Sequence, residues 1–101
     1  MTNGPVAQNR NLSDGRVSIP QHVVHRAFPI ESVLLNLNTG QYHGLNPTAG
    51  RMFEVIGETE AVDLAATRLA DEFEQPLELV TRDLCDLCFG LIERGLLEFD
   101  G

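Results

Sequence analysis

The chain has 101 residues, 43% of them hydrophobic, which suits one domain with a single hydrophobic core. It carries 15 acidic and 7 basic residues, a formal net charge of −8, and every basic residue is an Arg; these are too scattered for the cationic cluster that nucleic-acid binding requires. No apolar run reaches the roughly 18 residues of a membrane span and no secretory signal is visible, so we expect a cytoplasmic protein without a membrane segment.

The N-terminal segment, Met1–Arg16, is rich in Asn, Gly, Ser and Asp and has no periodic apolar pattern. Such a composition favours a flexible tail that adds little to the fold. We therefore expect the domain to occupy residues 17–101.

Three strands are predicted next. His22–Phe28 is rich in β-branched and aromatic residues, and Ser32–Leu37 is a dense aliphatic run. Asn38–Gly40 supplies a short hairpin loop, because a Gly takes positive φ at low cost, and Gln41–Leu45 then returns as the third strand. The pattern predicts a three-stranded antiparallel meander.

After the third strand the apolar period changes from two to about 3.6 residues, which indicates helices. Asn46 and Pro47 suit the N-cap and the first position of a first helix, which ends near Gly57. Thr59 is expected to cap a second helix, and Pro76 marks the break after it.

The third predicted helix runs from Leu77 to Arg94 and is closed by Gly95. Leu96–Phe99 is a short apolar stretch that either adds a strand or covers the core. Three strands followed by three helices indicate an α+β, winged-helix-like fold, a three-stranded antiparallel sheet followed by a three-helix bundle.

The stretch Glu31–Gly50, ESVLLNLNTGQYHGLNPTAG, followed by Met52, Phe53 and Ile56, resembles the signature of the PqqD-like family. The shared features are an aliphatic strand, a turn ending in Gly, a Tyr-x-x-Leu-Asn segment and a helix that starts with small residues. The resemblance extends over about Val17–Phe99.

That resemblance implies a non-catalytic recognition element for ribosomally synthesised, post-translationally modified peptides, free-standing and without a cofactor, of a lasso-peptide or related pathway. In the family, the leader segment of a precursor peptide adds as a strand to the third strand and lies beside the third helix. The partners implied are the leader peptide and a modifying enzyme, such as a radical SAM enzyme, a cyclase or a leader peptidase.

Carried onto this sequence, the resemblance and the wide apolar arc of the third helix suggest a groove between that helix and the third strand. The arc exceeds what one buried contact requires. Either of its flanks, the Cys85 side or the Leu87 side, can face the groove, and a helix buried on both sides would also explain it. With the Cys85 side chosen, the expected peptide-binding residues are Gln41, Tyr42, His43, Gly44, Leu45, Thr81, Arg82, Leu84, Cys85, Cys88, Phe89 and Ile92.

Strand addition requires an unpaired edge, and a three-stranded meander has two. The third strand contains no Pro, and Gly44 allows close approach of a partner backbone. Two alternatives remain at this stage, namely an edge covered by the protein's own helices and a β-bulge at Gly44. An open edge can also pair two copies, so the chain is either a monomer or an edge-paired homodimer.

Two other functions fit parts of the sequence. Cys85 and Cys88 form a Cys-x-x-Cys motif, but it lies within a predicted helix, and the three His residues lack metal-ligand spacing, so we favour two apolar thiols over redox or zinc chemistry. A winged-helix nucleic-acid binder would carry cations on its recognition helix, whereas acidic residues outnumber Arg in Leu79–Arg94. No catalytic motif is present, so we do not expect an enzyme.

Overall fold

The fold is described for residues 12–100 from a computed structural model. Its strands are β1 (Val17–Ser18), β2 (Val23–Ala27), β3 (Ser32–Asn36), β4 (Tyr42–Leu45) and β5 (Glu98–Phe99). Three helices follow the strand β4: α1 (Pro47–Thr59), α2 (Val62–Phe73) and α3 (Leu77–Glu93). The predicted α+β order of three strands followed by three helices is confirmed.

Strands β2, β3 and β4 form an antiparallel sheet in that order, which is the predicted meander. The β3–β4 hairpin turns at Gly40, which has a φ of 77° and donates its N–H to the Asn36 carbonyl at 2.7 Å. The Asn36 side chain holds the same loop by accepting the Asn38 N–H at 2.9 Å. A left-handed Gly in a short hairpin loop thus fixes the register of the two strands.

The helices cover one face of this sheet and enclose the core. Leu34 and Leu45 point inward from the sheet and are buried, as is Phe53 of α1. The His25 ring meets the Phe53 ring edge-on, with ring centroids 5.1 Å apart. The other sheet face is not covered by any element of the described range, and large apolar side chains such as Phe28 and Leu37 stay exposed on it.

Helix α1 begins as predicted but ends later. The Asn46 side chain accepts the Ala49 N–H at 2.8 Å and Pro47 occupies the first turn. The helix continues past Gly57 to Thr59, where Glu60 adopts a left-handed conformation and donates its N–H to the Ile56 carbonyl.

The expected capping of α2 by Thr59 is wrong. Thr59 is the last residue of α1, and its hydroxyl donates to the Val55 carbonyl at 3.0 Å. The N-cap of α2 is Ala61, which makes no side-chain cap and is held extended by a β-bridge to Arg16. A tertiary contact therefore starts this helix in place of a local cap.

The two ends of the domain pair with each other. After Gly95, with a φ of 73°, Leu96 and Leu97 enter the core, and β5 pairs antiparallel with β1, joining Val17 to Phe99. The C-terminal stretch thus does both things that its apolar character suggested.

A flexible tail was expected over Met1–Arg16, and residues 1–11 of it lie outside the described residues. Its last residues pack onto the domain: Leu12 is 4% exposed in the core, and the Val62 N–H donates to the Gly15 carbonyl at 3.2 Å. Ordered packing therefore starts before Val17. Among residues 12–100, no helix combines the length and apolarity needed to cross a bilayer.

Candidate peptide-binding site

Within residues 12–100, strand β4 is an outer strand of the sheet and pairs only with β3. The Asn36 N–H donates to the Gln41 carbonyl at 2.9 Å, and the register pairs Leu34 with His43. Because hydrogen-bonded pairs alternate along an antiparallel ladder, the backbone groups of His43 face β3, whereas those of Tyr42 and Gly44 face away from it. The outer edge thus presents two N–H donors and two carbonyl acceptors.

The two alternatives for this edge are excluded within the described range. No backbone hydrogen bond from another element reaches Tyr42 or Gly44, so the protein's own helices do not cover the edge. The register runs without interruption through the pair Val33 and Gly44, so there is no β-bulge. A Cβ at Gly44 would have no neighbour within 4 Å, so the outer sheet face is open at this residue.

Two cavities flank the β4 edge, one on each sheet face. The inner cavity, of about 590 Å³, lies between β4 and the end of α3 and is lined by Asn36, Gly40, Gln41, Tyr42, His43, Arg94 and Leu96. The outer cavity, of about 750 Å³, lies on the uncovered face and is lined by Val24, Arg26, Phe28, Glu31, Val33, Leu35, Leu37, Tyr42 and Gly44. Since side chains alternate along a strand, a strand added to β4 would send side chains into both cavities.

The helical part of the expected site lies elsewhere. Thr81, Arg82, Cys85 and Phe89 line a separate cavity of about 520 Å³, here called the α3 cavity, together with Ser13, Leu77, Glu78 and Asp86. No residue of β4 lines it. The structure therefore does not join this flank of α3 and β4 into one groove.

The remaining expected residues are scattered. Leu84 and Cys88, 0% and 1% exposed, lie in the core with Leu45. Ile92 lines a cavity near β5. Arg94, the residue that follows α3, does line a cavity with β4, and the expected site did not include it.

A signal for Arg94 exists in the sequence. Val80, Leu87 and Arg94 are spaced by seven residues and so lie close to one line along α3. The line through Val80 and Leu87 is the Leu87 side of the helix, which the sequence left open as the alternative to the Cys85 side. Either flank satisfies the pattern, and only the packing of α3 distinguishes them.

The two thiols of the Cys-x-x-Cys motif lie on α3 and differ in burial. Both cysteines are free thiols, and within residues 12–100 no cluster of ligands could hold a metal. Burial, with a smaller effect of Cys85, raises the pKa of the Cys88 thiol to about 12. Burial, with a smaller effect of the Asp86 charge, also raises the pKa of the Cys85 thiol. Thiolates are the reactive species, so both residues act as apolar groups at neutral pH.

We expect iodoacetamide at about pH 8 to leave Cys88 unmodified in the native protein and to alkylate it in denaturant, because its thiol is buried and protonated. Cys85, which is partly accessible, should react slowly. Mass spectrometry of the alkylated protein measures both, with a Cys88→Ala variant to assign the signals. Rapid native alkylation of both thiols would contradict this account.

The fold and the site together define a class of protein. It is an α+β domain in which three helices follow a three-stranded meander and the β4 edge lies open between two cavities. Residues 31–97 match the family Coenzyme PQQ synthesis protein D (PqqD), and the chain belongs to that family.

Two solved structures share the fold. TbiB1 in complex with the TbiA(beta) leader peptide is 31% identical with a TM-score of 0.73, and the alignment covers 80% of this chain and 94% of that one. Lasso peptide synthetase B1 complexed with the leader peptide is 23% identical with a TM-score of 0.71, covering 81% and 96% of the two chains. No curated protein matches the chain.

Proposed function

We propose that this protein is a non-catalytic adaptor that binds the leader segment of a ribosomally synthesised precursor peptide as an extra strand on β4. The observation that carries the proposal is the open β4 edge, where the backbone groups of Tyr42 and Gly44 have no partner among residues 12–100 and lie between two cavities. Membership of the PqqD family supports it, as does the likeness to TbiB1, which was solved with a leader peptide. Backbone bonds would supply affinity, and the cavities would select side chains.

The binding site proposed here differs from the sequence expectation in its helical part. It keeps Gln41, Tyr42, His43 and Gly44, and it replaces the Cys85 flank with Arg94 and Leu96 of the inner cavity. The α3 cavity is then left free for a different contact, and we propose that the adaptor presents the bound leader to a modifying enzyme or leader peptidase. The lasso-peptide class is the first pathway to test, on the strength of the sequence resemblance.

The proposal has consequences for assembly and location. One β4 edge accepts either a leader or a second copy, so leader binding and edge-paired dimerisation would compete. We propose a monomer when the leader is bound, acting in the cytoplasm where the precursor is made.

The proposal is tested by titrating the protein with synthetic leader peptides from the precursor genes that neighbour its own, followed by backbone amide NMR. We expect saturable binding, with the largest shifts at residues 41–45, Arg94 and Leu96. Shifts concentrated at Thr81, Cys85 and Phe89 would place the leader in the α3 cavity and overturn the assignment to β4. Absence of binding to every leader would overturn the function itself.

A further inference from the structure

The inner cavity differs in charge from the rest of this acidic protein. Its lining contains Arg94 and His43 but no Asp or Glu. Four further cavities on the described part of the chain each include at least one acidic residue. In a chain with 15 acidic and 7 basic residues, a cavity without a carboxylate stands out.

The Arg94 guanidinium is available for a ligand. Its one hydrogen bond within residues 12–100 runs from Nη1 to the Gly90 carbonyl at 3.0 Å, and no carboxylate lies within ion-pair distance. Arg51, by contrast, is held by Glu72 and Glu54, and Arg68 by Glu58. Arg16 and Arg26 also lack a carboxylate partner in the described part of the chain, but they lie outside the inner cavity.

Neutral donors accompany this charge. The Asn36 Oδ1 accepts the N–H groups of Asn38 and Thr39, so the amide NH₂ of Asn36 remains as a donor. Gln41 adds a second side-chain amide to the lining. A guanidinium with amide donors beside it is the chemistry that binds a carboxylate.

The position of this cavity along β4 specifies which ligand group enters it. A strand added to β4 places every second side chain on the helix-facing side, next to Gln41, His43 and Leu45. The inner cavity lies at the Gln41 end of this row. The side chain that enters it therefore belongs to one position of the added strand.

We propose that Arg94, with the amides of Asn36 and Gln41, forms a carboxylate pocket that selects an Asp or Glu at one position of the bound leader strand. This inference rests on the proposed function. It adds a specificity rule, because the net charge of −8 disfavours acidic peptides in general while this pocket accepts one acidic side chain.

The test uses a displayed library of random peptides long enough to cover β4 and the adjoining groove. Peptides are selected for binding to the full chain. They are then tested for binding to the Gly44→Pro variant, which lacks one N–H donor of the β4 edge. We expect peptides that depend on Gly44 to share an Asp or Glu at a fixed position. Replacing that acid with Asn or Gln, or making Arg94→Gln, should weaken binding about fivefold, the effect of a partly exposed ion pair.

Charge reversal supplies the sharper result. Peptides selected for binding to the Arg94→Glu variant should carry Lys or Arg in place of the acidic residue. Peptides selected for binding to the Arg94→Lys variant should still carry the acidic residue. Arg68→Glu, with the same change in net charge on α2, should leave the preference as in the wild type. Thermal unfolding of each variant shows whether loss of the Arg94–Gly90 bond alters the fold.

The outcomes separate the two proposals. If Gly44-dependent peptides show no acidic position, or keep it with Arg94→Glu, the carboxylate pocket is wrong and strand addition stands. If no selected peptide depends on Gly44, strand addition at β4 is wrong and the pocket is rejected with it.

Discussion

Gly44→Pro is expected to weaken leader binding by roughly a hundredfold while the protein stays folded. A buried leader carbonyl without its donor costs about 1–3 kcal/mol, and the proline ring also keeps a partner strand at a distance. The sheet should survive, because the Gly44 N–H faces away from β3 and pairs with no other element of residues 12–100. Fluorescence anisotropy with a labelled leader measures the affinity, and circular dichroism checks the fold.

Neighbouring substitutions serve as controls for this result. Gly44→Ala should bind more strongly than Gly44→Pro, since it keeps the donor and its Cβ has no neighbour within 4 Å. His43→Ala should also cost much less, because it changes no backbone donor. His43→Pro should unfold the sheet, since the His43 backbone faces β3. Unchanged leader affinity in a folded Gly44→Pro protein would reject strand addition at β4.

Gly50→Val is expected to lower the free energy of unfolding by about 3 kcal/mol, the upper part of the range for overpacking. A Cβ at Gly50 would lie 2.5 Å from the Ser32 Oγ and 3.1 Å from the Ser32 Cβ, so α1 crosses β3 too closely for a side chain. Rotation of the Ser32 hydroxyl relieves the first contact but not the second. Urea unfolding followed by circular dichroism measures the loss.

Gly57 in the same helix provides the matched comparison. A Cβ there would meet only the Ile19 Cδ1, at 2.9 Å, which is the flexible end of a side chain. Alanine gains about 1 kcal/mol over glycine in a helix interior, so Gly57→Ala should be neutral or stabilising. Gly50→Ala should be destabilising despite the same gain. Equal effects at both positions would show that α1 and β3 are not in close contact.

Local chemistry explains which features the sequence could predict. The cap by Asn46 and the turn at Gly40 depend on residues within a few positions of each other, and both were predicted correctly. The meander followed from the β-branched, aromatic and aliphatic residues of His22–Phe28 and Ser32–Leu37, together with the hairpin loop after them. The family resemblance added the expectation of an open edge that accepts a leader.

Features that depend on distant contacts could not be predicted in this way. Strand β1 has two residues and exists because β5, near the other end of the chain, pairs with it. The start of α2 depends on the bridge between Arg16 and Ala61, so the nearby Thr59 suggested a cap that does not form. The flank of α3 beside β4 is set by how three helices pack, whereas the sequence shows only that the apolar arc is wide.

The pairing of β1 with β5 makes closure of the fold depend on segments from both flanks of the domain. Val17 lies opposite Phe99, and the Asp100 N–H donates to the Arg16 carbonyl at 2.8 Å, which extends the pairing by one residue. A chain shortened before Glu98 would lose this pairing and would leave Val17, which is 1% exposed, without its partner strand. The β4 edge has no part in this closure, so a change at either flank acts on stability and leaves the edge itself unaltered.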